Sequence, residues 1–340
     1  MGPRQTGAFG LATVSMIFIR TLALLFACVS LVASPALAQT DKACPQAAPK
    51  PTQAEWIDYR RNTKDSGFLW RVVKDERVSW LYGTVHVNSV DRAIPGPQIL
   101  QAIRQSNVIA PELNLLDPKI LQRVAEAFQP AEPKRTSALA PELIEQAVSI
   151  AEWLCIQNPA GFAKLSPEQQ IIMTTQALAA SLGMYADFAV DKYILAVAAR
   201  MQKQIESLET PEIQIAALRK AMTFSEPDEV QLKTLLDDIK SGKAKANLMQ
   251  LLETWSDSNY EKWDRYKDWC DCLHTQNEKL AYQAVNDERN GPMSQKIIAL
   301  HEAGNRVFVA VGAFHFYGDK GLPKLLREAG FEVTPVPLKN

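Results

Sequence analysis

The chain has no surplus of basic residues: 37 Lys and Arg stand against 38 Asp and Glu over 340 residues. That balance provides neither the basic footprint of a nucleic-acid binder nor a polybasic membrane anchor. Beyond residue 38 no apolar run approaches the roughly 18 residues that a spanning helix needs. Histidine is rarer still, with four in the whole sequence, at 86, 274, 301 and 315. Two of the four end the same local pattern, Gly83-x-x-His86 in "LYGTVHV" and Gly312-x-x-His315 in "VGAFHF". No other internal repeat is present.

What the chain does have begins with an address. Arg20 precedes the apolar run "TLALLFACVSLVA", and Ala36-Leu37-Ala38 supplies the small-x-small pattern of signal cleavage. Residues 1–38 therefore read as a signal peptide cut after Ala38, with Met16 as an alternative start. Phe26-Ala27-Cys28 makes a poorer lipoprotein site. Removing Arg4 and Arg20 leaves 35 basic residues against 38 acidic ones, a net charge of −3. A periplasmic or secreted protein is expected, without a membrane span after cleavage. Four cysteines remain, Cys44, Cys155, Cys270 and Cys272, an even count that suggests disulfides in an oxidising compartment. Cys270 and Cys272 stand too near in sequence to bridge one another well, so pairing with Cys155 and Cys44 is expected. Cys270-x-Cys272-x-His274 is spaced too tightly for an ordinary structural zinc motif.

Residues 39–66 read as a polar, Pro-containing tail, and residues 67–340 as one domain. "FLWRVV" and "VSWLYGTVHV" flank the polar turn Lys74 to Arg77 as a hairpin. A helix, "PQILQAIRQS", and a buried strand, "NVIAPELNL", complete a βαβ pattern. From about 118 to 304 the apolar spacing is helical, as in "SPEQQIIMTTQALAASLG" with Ser166 as cap, and "KQIESLET" interrupts it as a short strand. Strand "RVFVAVGAFHF", helix "GLPKLLREAG" and strand "FEVTPVPL" close the chain. The fold expected is α/β or α+β, a mixed sheet core built from both chain ends and carrying a large helical insertion.

Polar residues collect where the predicted strands finish: His86, Glu112, Glu209 and His315. The carboxyl edge of an open α/β sheet is where ligands bind, and parallel order would bring all four to one rim. Two imidazoles with one or two carboxylates suit a borderline divalent ion such as zinc, manganese or cobalt, able to polarise a carbonyl and acidify a bound water. A structural, hydrogen-bonded histidine is the competing reading for each imidazole alone. His274 and His301 lie among charged residues on helical stretches and read as solvent-facing. Trp255, Trp263, Tyr266 and Trp269 read as a packing face of helices.

The blocks "LYGTVHV", "VIAPELN", "AVDKYILAVAARMQKQIESLETPEIQ", "NDERNGPMSQKI" and "VFVAVGAFHFYGDKGLPKLLREAGFEVTPV" follow one another in an order that resembles the TraB/PrgY/GumN family, from about Gly67 to the end. The resemblance implies a fold related to the erythromycin-esterase and ChaN-like group, and the activity of the similar Tiki proteins, which are metal-dependent proteases. It places His86, Glu112 and His315 as metal ligands and Glu209, Asp191 and Arg289 as catalytic helpers, with Asn290 and Tyr317 touching substrate. Ala189 replaces the family's usual glycine before Val190-Asp191. Arg289 could hold a substrate carboxylate or an oxyanion; equally, Asp191 and Arg289 could be structural ion pairs. The functions this implies are an exported metal-dependent hydrolase of peptide, amide or ester bonds, a non-catalytic periplasmic protein binding a peptide or small molecule, or a metal-free hydrolase with His86 as base.

Overall fold

The computed structural model describes Cys44, residues 48–127 and residues 139–338; the expected signal peptide lies outside the described residues. Among these, six strands form one mixed sheet: β1 (Phe68–Lys74), β2 (Arg77–Thr84), β3 (Val108–Pro111), β4 (Gln204–Ile205), β5 (Val307–Gly312) and β6 (Glu332–Pro335). Their order is β4-β3-β5-β2-β1-β6. The hairpin β1–β2 turns through Asp75 and Glu76, both left-handed at φ 50° and 59°, as a two-residue turn matched to strand twist requires. β2, β5, β3 and β4 run parallel, while β1 pairs antiparallel with both β2 and β6.

The topology explains how distant residues meet. Helix Pro97–Gln105 carries the chain from β2 to β3, but the crossover skips one strand position. β5, from the far end of the chain, fills that gap with parallel bonds on both sides, Thr84 level with Gly312 and Pro111 with Ala310. A central parallel strand is buried on both faces and needs a continuous apolar run; "VFVAV" supplies one, and Val307 to Val311 are all buried.

Within the segment 39–66 lies helix Gln53–Asn62, closed by a reciprocal Thr52–Glu55 capping box. Asp65, also there, is buried and accepts from the amides of Gln98 and Ile99 at 3.0 Å each, satisfying free donors at the start of helix Pro97–Gln105. Between β3 and β5 the described chain is helical apart from β4. Ser166 caps Pro167–Ser181 with Gln169 as its partner. No described helix is long and apolar enough to cross a membrane.

Two expectations are corrected here. The disulfides are Cys44–Cys155 and Cys270–Cys272, so the close cysteines do bridge one another. Asp271 adopts positive φ (49°), folding the chain sharply enough to bring the Cys270 and Cys272 Cα atoms to 5.1 Å. His301 is not solvent-facing; it is 1% exposed. Its Nε2 donates to the Lys74 carbonyl and its Nδ1 accepts from Ser79 Oγ at 2.9 Å, which pins the Glu288–Glu302 helix to the hairpin. His274 does remain exposed. Trp255, Trp263 and Tyr266 are buried core, and Trp255 Nε1 donates to the Gly83 carbonyl at 2.8 Å.

Candidate active site

Each chemical side chain follows a strand end at the same rim. His86 lies two residues past β2, Glu112 one past β3, and His315 three past β5, on a short 3-10 turn, Ala313–Phe316. β4 is only two residues long, yet the chain keeps in step with β3: Leu208 N donates to Pro111 O and Glu209 N to Glu112 O. That pairing sets the two acids side by side.

The glycines of the two Gly-x-x-His motifs serve close approach, not unusual φ. A Cβ on Gly83 would meet Ala313 and Phe316 at 3.2 Å, tighter than an ordinary contact, so glycine eases the second motif's turn down over the first strand. A Cβ on Gly312 would project into the centre itself, 3.3 Å from Glu112 Oε1 and 3.8 Å from both His86 Nε2 and His315 Cδ2. Gly312 therefore keeps open a cradle on which both motifs and Glu112 converge.

Three connections hold the centre. Val190 N donates to Val85 O, which docks helix Val190–Arg200 against the first motif and puts Asp191 Oδ1 3.1 Å from His86 Nδ1. Asn290, fully buried, accepts from His315 Nδ1 at 2.6 Å. Its amide nitrogen donates to the carbonyls of Lys320 (2.9 Å) and His315 (3.3 Å). Arg289 binds both acids: Nη2 reaches Glu112 Oε2 at 2.7 Å, Nε reaches Glu209 Oε1 at 2.9 Å, and Nη2 also reaches Glu209 Oε2. Nη1 donates to the Val285 carbonyl. Gln214 adds donors to Glu112 (2.9 Å) and Glu209 (3.3 Å), and Gly312 N donates to Glu112 Oε1 at 2.8 Å.

The sequence did not single out Gln214, although it stands in the first turn after Thr210-Pro211, where a side chain can reach back to Glu209. Nor did it reveal the π-helical turn Gln283–Asp287 leading into Arg289 and Asn290, a local widening common at functional sites. Tyr317 is buried, its rings packed edge-on against Tyr266 and Tyr282, and its hydroxyl accepts from Lys267 N. Asn290 and Tyr317 thus sit behind the recess, while His86, Glu112, Arg289 and His315 line it.

Burial, Arg289 and His86 together push His315 down to about 3, so its ring is neutral. Burial also works against charge on His86, but Asp191 and Glu112 outweigh it and raise this imidazole above its ordinary value. Burial likewise opposes ionisation of Glu112, yet Arg289 and the two imidazoles hold it well below the carboxylate range. Burial lifts Glu209, against the pull of Arg289. The signs give an expectation for stability. From pH 6.5 down towards 3 the unfolded chain takes a proton that folded His315 refuses, so stability falls by up to about 1.4 kcal/mol per pH unit. His86 contributes in the opposite sense, stabilising below its ordinary value and losing that contribution as pH rises through its raised one. Glu112 stabilises fully above the ordinary carboxylate value and loses this progressively as pH falls from there into strong acid. Urea midpoints measured from pH 3 to 8 are expected to fall less steeply on the acid side for His315→Gln than for wild type; superimposable slopes would contradict this reading.

The metal question turns on donors and spacing. By type, the donors fit a borderline divalent ion, and both histidines have Nδ1 held by an oxygen, as metal-bound histidines usually do. Asn290 spends its N–H groups on two carbonyls, so its Oδ1 faces His315 Nδ1 and leaves the proton on that nitrogen. His315 Nε2 then turns a lone pair towards Glu112 Oε1 at 3.6 Å. A cation or a donor between them would satisfy the buried imidazole nitrogen and add a second partner to Glu112 Oε1, which already accepts from Gly312 N. Spacing is less complete: among the described residues no group of three or more His, Cys, Asp or Glu stands close enough to hold a metal ion.

The profile described as the TraB/PrgY/gumN family matches residues 68–335. Among curated proteins, the chain is similar to "Uncharacterized protein YbaP" of Shigella flexneri, 26% identical over 74% of this chain and 88% of that protein. The YbaP of Escherichia coli (strain K12) is 24% identical over 76% of this chain and 97% of its own. "Metalloprotease TIKI1" of Danio rerio is 24% identical over 82% of this chain and 65% of that protein. No solved structure gives a significant match.

Proposed function

This chain belongs to the TraB/PrgY/gumN family, and on that premise we propose that it is an exported hydrolase of peptide, or other amide or ester, bonds. In this reading His86, His315 and Glu112 hold a divalent ion. The observation that carries it is the pair of facing acceptors, His315 Nε2 and Glu112 Oε1, beside the cradle that Gly312 leaves open. The name of the TIKI1 relative supports the same chemistry. When bound, such an ion supplies polarisation of a carbonyl oxygen and acidification of a water.

The chain's own residues do the rest. Asp191 orients His86 and keeps the proton of its ring on Nδ1, so that Nε2 presents its lone pair to the centre. Arg289 keeps Glu112 ionised and aimed, and Asn290 keeps the proton of His315 on the far nitrogen. Glu209 balances Arg289 from behind. Export is supported by the apolar run after Arg20 and by Ala36-Leu37-Ala38.

A second reading has one specific observation in its favour. Both oxygens of Glu112 already accept hydrogen bonds, and His86 with Asp191 forms a dyad that can act as a base without a metal.

Protein prepared without a polyhistidine tag tests these. One equivalent of manganese, zinc or cobalt is expected in wild type and none in His86→Ala or His315→Ala. Cleavage of a peptide library, followed by mass spectrometry, is expected to stop with chelator and return with metal. Equal metal content in all three proteins would remove the metal reading. Undiminished cleavage under chelation would establish the dyad instead, and peptides retained uncut would make this a binding protein.

A further inference from the structure

The recess beside this centre has two unlike walls. Thr84, His86, Glu112, Gly312 and His315 form the sheet side. Facing them are Leu218 of helix Pro211–Thr223, Leu251 of Lys243–Ser256, Trp263, Val285 of the π turn, and Phe314. The far wall is therefore mainly aliphatic and aromatic, with Asn286 and Gln214 as its polar members. Apart from the histidines, Arg289 is the only cation among the lining residues, and its guanidinium is already divided between Glu112, Glu209 and the Val285 carbonyl. An anionic group entering here would meet two carboxylates sharing one guanidinium. An apolar group would find matching surface. The cavity holds about 80 Å³, against roughly 10–15 Å³ for one water on the same measure, which leaves room for a branched or aromatic side chain.

We propose that this recess is a side-chain specificity pocket that takes a branched aliphatic or aromatic group of the substrate, next to the bond that reacts, and turns away acidic ones. The proposal rests on the hydrolase reading for what happens at the sheet side, but the selectivity belongs to the opposite wall and is measurable without turnover. A hydrophobic pocket typically separates ligands by about 10–200-fold per methylene.

The test is a methyl-resolved NMR titration of the full chain and of its His86→Ala variant. The probes are the N-acetyl methylamides of leucine, phenylalanine, alanine and aspartate. Leucine and phenylalanine probes are expected to shift the methyls of Leu218, Leu251 and Val285 in both proteins, at least ten-fold more tightly than the other two. Leu251→Trp, which fills the pocket, is expected to weaken binding ten-fold or more, and Leu218→Trp provides the same test from the half-buried rim if the first variant folds poorly. Four probes binding within three-fold of each other would overturn the proposal. So would shifts confined to methyls elsewhere, no shift with any probe, or unchanged binding in the filled variants. Selective binding by a wild-type protein that takes up no metal and cleaves no peptide would keep the pocket while rejecting the hydrolase.

Discussion

Replacing Arg289 by methionine is expected to cost about 3–5 kcal/mol of folding stability, the usual result of removing one partner from a buried ion pair. Glu209 is 2% exposed at its side chain and Glu112 only 16%. Without the guanidinium these two carboxylates face one another with Gln214 as their remaining shared donor. Like charges in a buried place raise a carboxyl, so one acid is expected to take up a proton near neutrality. The pH response then reverses: wild type weakens in acid, whereas Arg289→Met gains stability as pH falls from 7 towards 5. Adding Glu209→Gln removes half of the stranded charge and is expected to restore more than half of the loss. Urea unfolding followed by circular dichroism, run as a double-mutant cycle, reads the coupling directly. A loss below about 1 kcal/mol would place Arg289 with ordinary solvated surface pairs instead.

Arg289 also shows how far the sequence could be read. Its presence beside Asn290 was visible, and so was a choice between substrate contact and ion pairing. The structure gives it to Glu112 and Glu209, which ended two other strands in the sequence. That meeting depends on β5 wedging between β3 and β2, a strand order no local pattern encodes. The two Gly-x-x-His endings were legible because a strand edge and a missing Cβ are local facts. The role of Gly312 was not, since the atoms it makes room for come from residues 86 and 112. His301 was misread for a different reason. Its charged neighbours suggested solvent, but Asn290, Ser294, Ile297 and His301 repeat every three or four residues along one buried helix face. Weighing that stripe above the neighbours would have buried it. The Cys270–Cys272 bridge escaped because sequence distance says nothing about the left-handed turn at Asp271. Gln214 and the apolar wall of the recess come from the helical insertion, whose packing on the sheet is settled by tertiary contact.

The second large effect concerns which nitrogen of each histidine carries its proton. Asp191 accepts from His86 Nδ1, and Asn290 accepts from His315 Nδ1, so both rings turn Nε2 towards the centre. Asp191→Asn can rotate its amide and donate to Nδ1 instead, which would move the proton of His86 onto Nε2 and block that nitrogen as a metal ligand and, in the metal-free dyad, as a base. Cleavage is expected to drop by about 10²–10⁴-fold, the range lost when a general base is disabled, with the fold intact. Asn290→Leu removes the acceptor for His315 and strands the carbonyls of Lys320 and His315; metal affinity or activity is expected to fall about 10–100-fold. Asn290→Asp keeps the acceptor and is expected to recover most of that activity. Nitrogen-15 spectra of the histidine rings separate orientation from mere damage, because a loosened but correctly protonated ring keeps the Nδ1–H signature. The expected wild-type spectrum shows Nδ1–H for His315, replaced in Asn290→Leu by a mixture of both forms. If His315 already carries its proton on Nε2 in wild type, its lone pair does not face Glu112, and the argument for a cation shared between them is lost.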